Sequence, residues 1–199
     1  MAITHTNRRG DTYHLLQGKT KTGKPKYYVS KKLASNTVDA IPDGYEIFEN
    51  PVDAIVHVRK IRPTSILQEE RDETIRIIRR VTGKKIFYVL REDNALVVYW
   101  PDRDPEDVSR VFSRVFGASL TPDVSDDMPI DPGVMMFMRT SAMLKFILTN
   151  EQERTFAGER FCFRGKGFWM PCSHSTPLPA LVESLCGHLG QESFYEIGM

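Results

Sequence analysis

The chain has 199 residues, 41% hydrophobic and 27% charged, and a net charge of only +1. This is the composition of an ordinary globular protein, long enough for one sizeable domain or a small one beside a medium one. No apolar run approaches the roughly 20 residues that span a bilayer, and the opening MAITHTNRRGD has no apolar centre of a signal peptide.

The three cysteines are Cys162, Cys172 and Cys186, an odd number that fits reduced thiols and a cytoplasmic location. Charge is unevenly spread. Residues 1–33 hold eight Lys/Arg against one acid, a local +7, whereas residues 101–131 hold three Arg against eight acids, a local −5. Separation of this kind governs steering and association rather than fold.

In chain order, DTYHLLQ (11–17) and PKYYVS (25–30) are rich in strand formers and flank KTKTGK, where Gly23 suits a positive-φ turn. After a polar linker, GYEIFEN and AIVHVRK read as a second strand pair around Asn50-Pro51. Residues 1–62 are therefore expected to form a small antiparallel sheet of three or four strands, with Pro63 at its boundary.

A helix follows. Ser65 and Gln68 have the spacing of a capping box, and Leu67, Ile75, Ile78 and Val81 share a face opposite Glu69, Asp72, Glu73, Arg76, Arg79 and Arg80. Gly83 is the expected stop. Residues 85–100 read as a hairpin turning at Asp93-Asn94. A second helix is predicted from Asp104 as N-cap and Pro105 in the first turn, through Val108, Val111, Phe112, Val115 and Phe116, to Gly117.

Residues 118–133 are polar and proline-bearing, hence a loop. VMMFMR and AMLKFILT read as two strands with Thr140-Ser141 between them. TFAGERFCFRGKGFWMP reads as a hairpin turning at Gly165-Lys166-Gly167. The last helix is predicted to open at Thr176-Pro177, to align Leu178, Leu181, Val182, Leu185 and Leu189, and to close at Gly190. The fold class expected is α+β: a small N-terminal antiparallel β-module (1–62) followed by an α+β body (64–199) of hairpins and three helices.

Three groups of residues bear on chemistry. The basic hairpin offers Arg8, Arg9, Lys19, Lys21, Lys24, Lys26 and Lys31, with Tyr13, Tyr27 and Tyr28 interleaved. Cations on a folded ribbon can neutralise successive phosphates and exposed tyrosines can stack on bases. Lysines on an edge hairpin also block unwanted strand pairing, so the same pattern has a purely structural use.

The second group is Cys162, Cys172, His174, Cys186 and His188, the right ligand types for zinc but not in a familiar spacing. Cys186 and His188, two apart in a predicted helix, point to different sides, and Cys186 borders an apolar stripe. No metal site and no cofactor are expected from it, nor is a thiol nucleophile motif present. Third, Asp123, Asp126, Asp127 and Asp131 lack EF-hand spacing, and Asp104, Glu106 and Asp107 are explained as helix-start acids.

GxGxxG, GxxxxGK[ST], HExxH and GxSxG are all missing. The methionines at 135, 136, 138 and 143 read as core filler, and Phe168-Trp169 beside Arg164 and Lys166 is a second aromatic and basic spot. The expectation is a non-enzymatic nucleic-acid-binding protein acting through the N-terminal hairpin, with a body that supplies stability and either a homodimer interface or ligand sensing. Two alternatives are an interaction module that meets an acidic protein and a metal-dependent or thiol enzyme using the C-terminal Cys/His residues.

Overall fold

The computed structural model describes residues 2–117 and 135–198. It is a mixed α+β fold whose strands form three antiparallel sheets. The chain divides into two compact units, Met1–Ile61 with Arg103–Arg139, and Arg62–Asp102 with Thr140–Met199.

In the first unit β1 (Thr4–Thr6), β2 (Thr12–Lys19) and β3 (Pro25–Ser30) form one sheet in that order, and β4 (Tyr45–Glu49) pairs with β5 (Val56–Lys60) in another. A single sheet was the expectation; two are found. The linker after β3 returns along β2, where Val38 N–H donates to the Leu15 carbonyl and Gln17 N–H to the Asn36 carbonyl. That linker fills the edge of β2 beyond the short β1 and leaves no ladder position there for β4.

Leu15, Leu16 and Val56 of these strands are buried, as is Ala54 in the β4–β5 turn. The register alternates their side chains. Tyr13, Leu15, Gln17 and Lys19 share a face with Val29, Tyr27 and Pro25, while Leu16 and Gly18 share the other with Tyr28 and Lys26. Helix α2 (Pro105–Phe116) belongs to the same unit. It closes where Gly117, in the left-handed region at φ 66°, donates to the Ser113 carbonyl. Val108 is buried, whereas Val111 and Val115 are exposed.

The second unit is built on the sheet β10-β9-β8-β7-β6, with β11 (Thr176–Pro177) also on β9. Its strands are β6 (Tyr88–Glu92), β7 (Ala95–Pro101), β8 (Thr140–Asn150), β9 (Thr155–Cys162) and β10 (Phe168–Pro171). Helices α1 (Gln68–Thr82) and α3 (Leu178–Cys186) pack side by side, and α3 lies against β9.

One core joins Ile77 and Ile78 of α1, Leu181, Val182 and Leu185 of α3, and Leu96, Val98, Leu144, Phe146 and Phe156 of the sheet. Gly158 permits the close approach of α3, since a Cβ there would stand 2.5 Å from Leu185 Cδ1. The C-terminal 3₁₀ turn Glu192–Glu196 buries Phe194, and the buried Arg160 donates to the Tyr195 and Ile197 carbonyls at 2.9 and 2.7 Å.

Several local expectations change. Helix α1 begins at Gln68 rather than behind a Ser65 cap: Leu67 holds the cap position, and its N–H donates to Glu70 at 2.9 Å. Arg154 holds both Glu70 oxygens at 2.8 and 2.6 Å and also donates to the Ser65 carbonyl. A tertiary contact 84 residues away thus fixes the helix start. Leu67 is exposed, and the buried face is Thr74, Ile77 and Ile78, flanked by Ile75 and Val81.

VMMFMR is not a strand over its described residues. Met135–Phe137 make a helical turn, with Met138 N–H bonded to the Met135 carbonyl. Thr140 and Ser141 are the first residues of β8, not a break before it. Helix α3 ends at Cys186 instead of Gly190, which places His188 beyond the helix. The acidic run Asp123, Asp126, Asp127 and Asp131 lies outside the described residues.

Candidate nucleic-acid interface

The β2–β3 hairpin closes through a turn that its residues specify. Thr20 N–H donates to the Lys24 carbonyl at 2.8 Å, Gly23 N–H to the Thr20 carbonyl at 2.9 Å, and Lys24 N–H to Thr20 Oγ1 at 3.1 Å. Gly23 sits at φ 82°, a conformation costly to any residue with a Cβ. The turn displays Lys19, Lys21, Lys24 and Lys26, all exposed. Among the described residues none of these four lysines has an ion-pair partner.

The other cations of the sequence motif have different surroundings. Arg8, its side chain only 11% exposed, donates to Glu49 Oε1 at 2.8 Å, to the Asn50 carbonyl at 3.0 Å and to the Pro51 carbonyl. Beside it Asn7 donates to the Ala54 carbonyl at 2.9 Å. These two side chains tie the β1–β2 turn to the β4–β5 turn. Arg8 is thus engaged in holding the unit together.

Lys31 pairs with Asp11 at 2.8 Å and lies 5.6 Å from the Tyr13 ring centre. Hydrogen bonding to Lys31 holds the Asp11 carboxyl below its ordinary range, and the same bond raises Lys31. Arg9 is half-buried, and its Nε is buried without a hydrogen-bond partner among the described residues.

The three tyrosines do not form one surface. Tyr27 packs edge-on against Tyr45 at 5.4 Å, and Tyr13 lies beneath Lys31. Tyr28 is on the opposite face beside Lys26, 38% exposed. It is also braced. Its ring lies over Gly18, where a Cβ would meet Cε1 at 3.3 Å, and Asn36 Nδ2 donates to its hydroxyl at 3.2 Å.

Gly18 and Asn36 were not singled out from sequence. A glycine inside a strand pattern was the available signal, since it marks close approach of another group. The structure therefore brings together Lys19, Lys21, Lys24, Lys26 and Tyr28, and assigns intramolecular partners to Arg8, Lys31, Tyr13 and Tyr27.

The C-terminal Cys/His residues lie on different elements. Cys162 ends β9, and Cys172 and His174 follow β10. Cys186 ends α3 fully buried, and His188 Nδ1 is 2.9 Å from Ser193 Oγ. Among the described residues no three of His, Cys, Asp or Glu converge on a point that could hold a metal ion. Burial pushes the Cys172 thiol up to about 11 and raises Cys186 further, so both are protonated thiols at neutral pH.

Of the early acids, Asp102 accepts from Ser141 at 2.7 Å and Asp107 pairs with Arg110 at 3.2 Å. Among the described residues no helix is long and apolar enough to cross a membrane. No protein family matches the chain, and neither a curated protein nor a solved structure matches it.

Proposed function

We propose that the chain is a non-enzymatic nucleic-acid-binding protein whose contact surface is the tip of the β2–β3 hairpin. The observation that carries this reading is the contrast in ion pairing: Lys19, Lys21, Lys24 and Lys26 stand exposed without partners, while Arg8 and Lys31 are paired. Unpaired ammonium groups on a hydrogen-bonded turn can each engage a backbone phosphate and release its counterions. Tyr28, held against Gly18 beside Lys26, adds one stacking ring. Residues 1–62 are proposed as the binding module and residues 64–199 as the supporting body.

The test is a titration of the full chain with labelled duplex and single-stranded nucleic acid at several salt concentrations. Binding at low salt that weakens with salt, and is lost when Lys19, Lys21, Lys24 and Lys26 become Glu, is the expected result. Absence of binding at low salt, or unchanged affinity in the Glu variant, overturns it.

A second reading, an acidic protein as partner, draws support from the tyrosines, because only Tyr28 of the three is free to stack. Capture of a partner that survives nuclease treatment distinguishes it. A cytoplasmic location and a homodimer complete the proposal, the latter motivated by exposed Val111 and Val115 on α2. Sedimentation of the purified chain tests the dimer.

A further inference from the structure

The β9–β10 hairpin carries a surface that the lysine tip does not. Phe161 meets Phe163 edge to face at 5.0 Å and Trp169 at 5.3 Å, and Lys145 Nζ stands 4.2 Å from the Trp169 ring centre. The turn allows this arrangement. Gly167, at φ 73°, lies where a Cβ would come within 2.5 Å of Phe161 Cζ, so the ring is laid across a bare backbone.

Phe163, on the face of Phe161 and Trp169, and Phe168, which pairs with Cys162 and so takes the opposite face, flank the turn and remain 50% and 52% exposed. Between them Arg164 and Lys166 are exposed, with no ion-pair partner among the described residues. Two half-exposed phenylalanines on a four-residue turn give the fold little burial in return for their hydration.

We infer that this tip is a two-faced stacking platform for single-stranded nucleic acid, in which a strand passing around the turn lays bases on the Phe163 ring on one face and the Phe168 ring on the other, and the adjoining phosphates meet Arg164 and Lys166. Charge and ring chemistry select the occupant together. A purely acidic segment would satisfy the cations and leave the rings bare, and an apolar partner would bury the cations unpaired. Bases of a duplex keep their faces stacked inside the helix, so only an unpaired strand offers both groups at once. The inference rests on the proposed nucleic-acid reading and narrows it to unpaired strands.

The experiment measures binding of oligo-dT, oligo-rU and a duplex to the full chain and to three variants. These are F163A/F168A, F163Y/F168Y, and K19E/K21E/K24E/K26E, with thermal melts confirming that each is folded. The expected result is that F163A/F168A loses roughly tenfold or more in single-strand affinity, keeps its duplex affinity, and is restored by the Tyr pair. Loss with either sugar supports the platform, and a difference between the two oligonucleotides names the preferred one.

If the Lys→Glu variant loses binding while F163A/F168A binds single strands like the parent, the stacking platform is overturned and the proposed function stands. Equal losses on duplex and single strand also overturn it. If no nucleic acid binds the parent chain, both readings fall. Poly-glutamate binding that depends on Phe163 and Phe168 overturns the choice of nucleic acid for this tip.

Discussion

The two glycine-turned hairpins β2–β3 and β9–β10 both display cations without ion-pair partners among the described residues and differ in what becomes of their rings. In the first, lysines project from the turn and two of three tyrosines are occupied within the unit. In the second, phenylalanines project and a ring cluster sits behind them. Composition alone makes both merely basic and aromatic. What separates them is which groups already have partners, and a sequence does not display that.

The largest expected effect breaks the comparison at its charge. Reversing Lys19, Lys21, Lys24 and Lys26 should weaken nucleic-acid binding by about a hundredfold or more at moderate salt. Reversing Arg164 and Lys166 should weaken single-strand binding less, because stacking supplies part of that contact. Both effects are read by anisotropy titration.

The turns themselves are distinguishable by stability. Gly167→Ala introduces left-handed strain and a clash with Phe161, expected to cost about 3 kcal/mol. Gly23→Ala meets nothing within 4 Å of its new Cβ. It should show only the conformational penalty, about 1 kcal/mol. Denaturant unfolding of the two variants measures the difference.

Arg8→Ala sits between them, at about 2 kcal/mol, because part-buried Glu49 loses its guanidinium partner and keeps only His5 and the residue-8 N–H, while the Asn50 and Pro51 carbonyls lose their donor. It should shift the melting temperature without altering salt-dependent binding, in contrast to the lysine variant.

The smallest effect is a pH dependence. Asp11 has its carboxyl depressed in the folded state by Lys31, so its contribution is present above the unfolded carboxylate range and is lost as pH falls through the folded value. Asp11→Asn should therefore differ slightly in stability from the parent at neutral pH and converge with it in acid. Acid melts of the two proteins check the sign.

Turns and apolar stripes were legible because they are local. Gly23, Asp93-Asn94 and Gly165 to Gly167 all mark hairpin turns, and Leu178, Leu181, Val182 and Leu185 line the buried face of α3. The start of α1 was not legible, since Arg154 gripping Glu70 decides it across 84 residues. VMMFMR misled because a short apolar run has no period that separates strand from helix.

The candidate site was half legible. Charge density drew attention to the β2–β3 hairpin, whose four lysines are exposed, but the engagement of Arg8 by Glu49 and of Tyr27 by Tyr45 depends on a second sheet whose position no local pattern encodes. The bracing of Tyr28 by Gly18 and Asn36 is likewise a tertiary fact.

The most direct test is the slope of log affinity against log salt for the parent chain and for K19E/K21E/K24E/K26E. A steep negative slope is expected in the parent, becoming shallower by about four in the variant, one for each lysine that engages a phosphate. Identical slopes, or a parent chain that binds no nucleic acid at low salt, would contradict it.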